Sequence, residues 1–172
     1  MTGALADGWL GTCFSPDASE AHLAHLRKGA ERAGRRLEDI RLGVDVVVGF
    51  ADDPGPLVRA RKPMFAFQMS AMGSPTTNFY NDAFARGGFE GPCQRVRDLW
   101  LAGDRAGAID AVPDEMVLAT TLIGDEARVR ERIRLYRQCG ITELNFSPVG
   151  ETSTERLDTL ARAIDCVRAE AP

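Results

Sequence analysis

Between Leu122 and Gly150 a helix runs straight into a strand, and no other stretch constrains the fold of this chain as tightly. Asp125 can accept hydrogen bonds from the free amides of a starting helix, and Val129, Ile133 and Tyr136 recur at i, i+4 and i+7, so one helical face is apolar. Gly140 stops the helix, because a residue without Cβ takes the left-handed conformation after the last turn, and Arg132, Arg134 and Arg137 suit the negative end of the helix dipole. The strand from Ile141 to Phe146 turns Leu144 and Phe146 to one side and Glu143 and Asn145 to the other, and Ser147-Pro148 ends the run.

Earlier segments repeat the pattern. Met1 to Ala6 reads as the tail of a helix whose beginning is missing, and Gly8 to Cys13 as a short buried strand. After Phe14-Ser15-Pro16, Asp17 is placed to cap a helix with Glu20 at the reciprocal position, and Leu23, Leu26, Ala30 and Ala33 mark its buried face. The strand from Arg41 to Phe50 is nearly continuous and β-branched, which predicts cover on both sides. A final helix from Ser153 to Arg168 carries Leu157, Leu160, Ile164 and Val167 on its expected buried face. Strands separated by helical crossovers pair in parallel, and ligands of such sheets bind at the carboxyl ends of the strands: here Phe14-Ser15, Phe50 to Asp53 and Ser147 to Gly150.

The middle of the chain differs in kind. A helix is expected from the Asp52 to Pro56 turn to about Ser70, with Pro63 tolerated as a kink or break. Met72 to Asn81 combines loop formers with large side chains, and short helices follow over Asn81 to Arg86, Pro92 to Leu101, Asp104 to Ala111 and Pro113 to Thr120. The stretch of about 54–118 therefore reads as an excursion within a single unit spanning 1–172.

Totals narrow the function classes. With 172 residues, 44% of them hydrophobic, the chain can bury roughly 70% of its unfolded surface as one domain. A net charge of −4 gives no basic field for gathering phosphates, which argues against nucleic acid. No apolar run approaches the roughly 18 residues of a membrane helix and no signal peptide is evident, so no membrane partner and a cytoplasmic setting are expected. Cys13, Cys93, Cys139 and Cys166 lie far apart without metal-ligand spacing, so they are expected to be buried thiols.

Four segments carry a family resemblance. Ala6-Asp7-Gly8-Trp9 entering a strand, the Gln68 to Asn81 block with Met72-Gly73 and Asn78-Phe79-Tyr80-Asn81, Ala111-Val112-Pro113-Asp114-Glu115, and Leu122-Ile123-Gly124 before the helix resemble the luciferase-like monooxygenase superfamily, in particular its deazaflavin-dependent oxidoreductase branch. The resemblance implies an α/β fold: the carboxyl-terminal part of a (β/α)8 TIM barrel with a helical insertion and about three parallel strands. A complete barrel takes about 250 residues, so strands six to eight plus the insertion are expected here and the first five are not. It also implies hydride transfer between a reduced deazaflavin, coenzyme F420, and a small organic substrate. The alternatives are an FMN-dependent monooxygenase of the same superfamily and a non-catalytic half-barrel, a possible homo-oligomer or a partner for a missing amino-terminal half.

Site candidates follow from position. Phe14 and Ser15, at a strand's carboxyl end, are candidates to line the pocket or contact a cofactor phosphate, with plain connection as the even alternative. Met72, Gly73, Asn78, Phe79 and Tyr80 could form a lid over the substrate, though Phe79 and Tyr80 more simply anchor the insertion. Glu143 and Asn145, with Ser147, would face a barrel interior, where hydrogen bonding to one another is the leading role. Asp45, alone among valines, needs an arginine or amide partner. His22 and His25 lack further ligands at metal-binding spacing and are read as surface residues. No GxSxG elbow or GxGxxG turn occurs, so no metal site is expected and catalytic residues stay unassigned.

Overall fold

The computed structural model describes residues 1–74 and 77–170. A short helix α1 (Thr2–Leu5) precedes β1 (Gly8–Gly11), α2 (Glu20–Arg32) and β2 (Arg41–Phe50). The excursion holds α3 (Gly55–Ala71), α4 (Phe79–Phe84), α5 (Glu90–Leu101), α6 (Arg105–Asp110) and α7 (Asp114–Ala119). Then come β3 (Leu122–Gly124), α8 (Glu126–Gln138), β4 (Glu143–Pro148) and α9 (Ser153–Ala169).

All strand pairs are parallel, and β2 is the centre of the sheet. One flank of β2 pairs with β1 through Gly8↔Arg41 to Gly11↔Val44 and, farther along, with β3 through Val48↔Leu122 to Phe50↔Gly124. The other flank pairs with β4 from Gly43↔Glu143 to Val48↔Pro148. The expected α/β parallel architecture therefore holds, with a fourth strand added. Leu122–Gly124 is too short to show alternation, and tertiary pairing with β2 makes it a strand.

The two faces of the sheet are unequal. Leu42, Val44, Val46 and Val48 are buried with Leu23, Leu26 and Ala30 of α2 and with Val129, Ile133 and Tyr136 of α8. On the opposite face Arg41 and Asp45 are exposed, so the expectation of cover on both sides of β2 is corrected. A second core, built on Val58, Phe65, Met69, Phe84, Val96 and Met116, holds the excursion together and reaches the sheet through Ile123 and Val47. Pro63 is accommodated at an exposed position inside α3, where its missing N–H costs one internal hydrogen bond.

Other local expectations are corrected as well. β1 ends at Gly11 because Cys13 takes a left-handed backbone, φ 54°. Asp17 caps nothing: Pro16–Ala18 is a single 3-10 turn, and α2 starts at Glu20 with no side-chain cap. Glu20 is instead paired to Arg27 at 2.8 Å. Ala33 is exposed beyond the end of α2. On α9 the buried residues are Ala163 and Cys166, whereas Leu157 is 65% exposed and Ile164 and Val167 are 37% and 36% exposed. No helix among the described residues is long and apolar enough to cross a membrane.

Candidate functional site

Register decides which side chains converge. Because Gly43, Asp45 and Val47 pair with Glu143, Asn145 and Ser147, all six project from the same, uncovered face of the sheet. Along it Arg41 pairs with Glu143 at 3.7 Å, and the Asn145 amide donates to Asp45 Oδ1 at 3.2 Å. The amide partner expected for Asp45 is thus present, and Asn145 answers it from the neighbouring strand. At the carboxyl end of the strands α3 lies over this face. Its Val58, Phe65 and Met69 are buried, and Arg61 and Gln68 fall on the same helical side at i+3 from Val58 and i+3 from Phe65.

The result is a cavity of about 130 Å³ lined by polar groups from four elements, including Thr12, Asp45, Arg61, Gln68, Thr121 and Ser147. A second cavity of about 270 Å³ adjoins it, sharing Val47, Arg61 and Ser147 and extending to Leu57 and Arg156. Arg61 Nε is buried without a hydrogen-bond partner among the described residues. Cys13 also lines the smaller cavity. Burial raises its pKa to about 12, against the weaker lowering effect of Thr12, so the thiol is neutral near pH 7 and no ready nucleophile. A larger concavity, about 700 Å³ in volume, lies elsewhere, between β4, α8 and α9. It is walled by Tyr136, Leu144, Phe146, Ile164 and Val167, and it lacks the convergent polar groups of the strand-end cavities.

The anticipated residues distribute unevenly. Ser147 lines both strand-end cavities. Phe14 turns its ring into the core, 5.9 Å from each of the Trp9 and Tyr136 rings, and its carbonyl accepts from the Tyr136 hydroxyl at 3.3 Å. Ser15, also buried, donates to Asp17 at 3.1 Å. Asn78 is buried too: its amide donates to Gln68 O at 2.9 Å, while its Oδ1 accepts from the Asn81 backbone at 3.0 Å. Asn81 donates in turn to Met69 O at 2.9 Å, so the two asparagines fasten α4 to the end of α3. Gly73 has φ 147°, and a Cβ there would meet Thr77 O at 2.5 Å. Met72 is half-buried beside it. Pro75 and Thr76 of the same block lie outside the described residues. Phe79 is 59% exposed and sits edge-on to Tyr80 at the mouth of a separate 240 Å³ hollow with Trp9, His22, His25 and Arg86. His25 is a surface residue as expected, but His22 is half-buried. Burial, then Arg86 and His25, lower the His22 pKa, and its Nε2 has no partner among the described residues.

Behind the end of β1 lies a network that the sequence reading missed. Arg132 is buried, donating to Asp17 Oδ2 at 2.6 Å and to Ala119 O at 2.5 Å. Burial pushes the Asp17 pKa up, but the Arg132 guanidinium and the Ser15 hydroxyl outweigh it and leave the carboxyl below its ordinary value. The signal was available: Arg132 stands at i+3 from Val129 and i−4 from Tyr136, inside the apolar stripe of α8 rather than on its charged side. Arg61 carried the same signal on α3. No group of three or more His, Cys, Asp or Glu able to hold a metal occurs among the described residues.

Comparison with known proteins places this geometry. A family described as luciferase-like monooxygenase matches residues 1–143. The chain is 29% identical over 144 residues to a protein of Mycobacterium tuberculosis named as a coenzyme F420-dependent oxidoreductase, covering 83% of this chain and 42% of that one. It is 25% identical over 164 residues to 5,10-methylenetetrahydromethanopterin reductase of Methanopyrus kandleri, covering 94% and 45%. Among solved structures, the coenzyme F420-dependent tetrahydromethanopterin reductase from Methanopyrus kandleri superposes with a TM-score of 0.66 at 24% identity, over 99% of this chain and 46% of that one. An F420-dependent secondary alcohol dehydrogenase in complex with an F420-acetone adduct gives a TM-score of 0.65 at 12% identity, over 96% and 44%. The chain thus spans under half the length of these relatives.

Proposed function

The chain belongs to the luciferase-like monooxygenase family, and on that premise we propose that it is the carboxyl-terminal part of a (β/α)8 barrel that transfers hydride between coenzyme F420 and a small organic substrate. One observation carries the reading. The likeness to the coenzyme F420-dependent oxidoreductase runs over 144 residues, a length that takes in most of the elements whose ends form the two adjoining cavities. Strand carboxyl ends are where barrels of this kind place their chemistry.

The residues present fit such a cofactor as one wall of its site. The uncovered face offers Thr12, Asp45, Asn145 and Ser147 to ring carbonyl and N–H groups. The cavities of about 130 and 270 Å³ are each below the roughly 300–1,000 Å³ of closed cofactor pockets. A deazaflavin supplies the hydride chemistry itself when bound. The chain's task is orientation and dryness: the Asp45–Asn145 pair fixes an acceptor and a donor at one spot, Ser147 offers a hydroxyl beside them, and Phe65 and Phe84 keep water from above. Asn78 fastens α4 to the end of α3, Phe79 stands at the separate hollow, and Phe14 and Ser15 are buried beyond the end of β1, so their part in this reading is to support the site rather than to line the strand-end cavities. A second reading, a half-barrel that needs a partner for any activity, is favoured by the unpaired outer edge of β4 and the exposed Leu157, Ile164 and Val167.

Titrating oxidised coenzyme F420, and separately FMN, into the isotope-labelled chain and following its backbone amides tests the assignment. Shifts centred on Thr12, Asp45, Asn145 and Ser147 with coenzyme F420 alone are expected. Shifts with FMN alone would move the chain to the FMN-dependent monooxygenases, and no shift with either up to millimolar concentration would sink the cofactor assignment.

A further inference from the structure

We propose that Arg61 and Arg156 form an oxyanion subsite at the carboxyl ends of β2 and β4, built to take a phosphate or carboxylate group. The 270 Å³ cavity between α3 and the turn after β4 has both guanidinium-bearing residues in its lining and no carboxylate, the rest being apolar side chains, Ser147 and Gly150. Arg61 makes no hydrogen bond or ion pair among the described residues, and its buried Nε is left unsatisfied. An unpaired buried donor is unfavourable and calls for a partner, and at Arg61 the adjoining cavity offers room for one. The side chain cannot swing away at no cost, because the burial of Val58 and Phe65 fixes the side of α3 from which it projects. Its neighbour Lys62 is neutralised by Asp114 at 2.6 Å, and Arg59 is exposed, so Arg61 stands apart from the other cations of the helix.

Arg156 approaches from the opposite side. Its Nε donates to Thr152 O at 3.3 Å and one Nη to Glu151 O at 3.4 Å, which orients the guanidinium and leaves its other Nη free for a ligand. Gly150 allows the close turn: a Cβ there would come within 2.7 Å of the Arg156 backbone nitrogen. Glu155 and Asp45, two of the nearby carboxylates, are already engaged. Glu155 accepts from the Glu151 amide at 2.7 Å and the Thr152 amide at 3.3 Å, and Asp45, which lines only the smaller cavity, accepts from Asn145. Two arginines lining one hollow that has no carboxylate in its lining bring together the residue type that holds oxyanions with charge-assisted hydrogen bonds.

Anion binding here stands without the cofactor reading; only the owner of the anion, cofactor tail or substrate, rests on it. Inorganic phosphate titrated into the labelled full chain should shift the Arg61 and Arg156 Nε–H resonances saturably. The affinity should fall about tenfold or more in Arg61→Met and in Arg156→Met. Arg61→Lys should retain an intermediate affinity, and the exposed Arg59→Met should bind as the parent does. A thermal melt of each variant separates lost binding from lost folding. An absent or unsaturable shift in the parent chain, or parent-like affinity in a folded Arg61→Met, overturns the subsite. With the subsite standing, displacement of phosphate by coenzyme F420 assigns the anion to the cofactor, and simultaneous binding assigns it to an anionic substrate. If coenzyme F420 shifts nothing while phosphate still binds at Arg61, the cofactor reading fails and the subsite survives.

Discussion

The two flanks of β2 carry similar side chains to opposite ends. Toward β1 and β3, Leu23, Ile133 and Tyr136 close over the sheet, although Leu10 of β1 stays 56% exposed. Toward β4, Leu144 and Phe146 stay half-buried, and the leucine, isoleucine and valine of α9 face outward. Apolar side chains occur on both flanks, so the difference lies in what stands next to them. β1 also pairs with β2 alone, but without an exposed apolar helix face beside it; on the β4 side such a helix face lies beside a strand edge that is unpaired among the described residues. This is the side on which the relatives' extra length would be accommodated under the proposed function.

Substitutions can break or sharpen that contrast. Tyr136→Ala empties a fully buried site and removes the bond to Phe14 O, and about 4 kcal/mol of lost stability in denaturant unfolding is expected. A loss below ~1 kcal/mol would mean that the closed flank is not closed. Asp17→Asn leaves the buried Arg132 without its counter-charge. A cost of about 2 kcal/mol is expected, below the usual range for a buried pair because Asp17 itself reaches water.

The same pair gives the pH dependence. The folded pKa of Asp17 is depressed, so its contribution is fully present above the unfolded value of about 4 and is lost as pH falls through the folded value. Unfolding midpoints measured from neutral to acid pH should decline more shallowly in Asp17→Asn than in the parent chain. Identical slopes would remove Asp17 from the account. The smallest effect belongs to the open flank: Leu157→Ala should change stability by less than about 0.5 kcal/mol. A loss there approaching that of Tyr136→Ala would show α9 to be covered in solution and would erase the contrast.

Legibility in the sequence followed locality. The limits of β2 could be read directly, because a continuous β-branched run has no other use in a chain of this kind. The start of α8 was legible in Asp125, whose side chain accepts from the Arg128 amide at 2.8 Å, and its end in Gly140, which has φ 91°. What stayed hidden depends on distant partners. Asp17 resembles a helix cap until Arg132, 115 residues away in sequence, claims it. The three residues of β3 become a strand only by lying against Val48 to Phe50. α9 has a well-formed apolar stripe, but periodicity names a face without saying whether anything covers it. For the site, Asp45, Asn145 and Ser147 emerged from strand alternation, whereas Arg61 and Gln68 required noticing polar residues within an apolar helical stripe.

Hydrogen exchange along β4 tests the open flank most directly. Alternate amides of this strand face β2, in step with the Val149 N–H to Val48 O bond at 2.8 Å that closes the ladder. Counting back from Val149 by this alternation, the amides of Asn145 and Ser147 also face β2, and those of Leu144 and Phe146 point to the outer edge. The Leu144 and Phe146 amides should exchange rapidly in the isolated chain, while the amides of β2 are protected to the level of global unfolding. Equal protection of Leu144 and Phe146 would show that the edge of β4 is already paired, and the picture of one wall awaiting its complement would be contradicted.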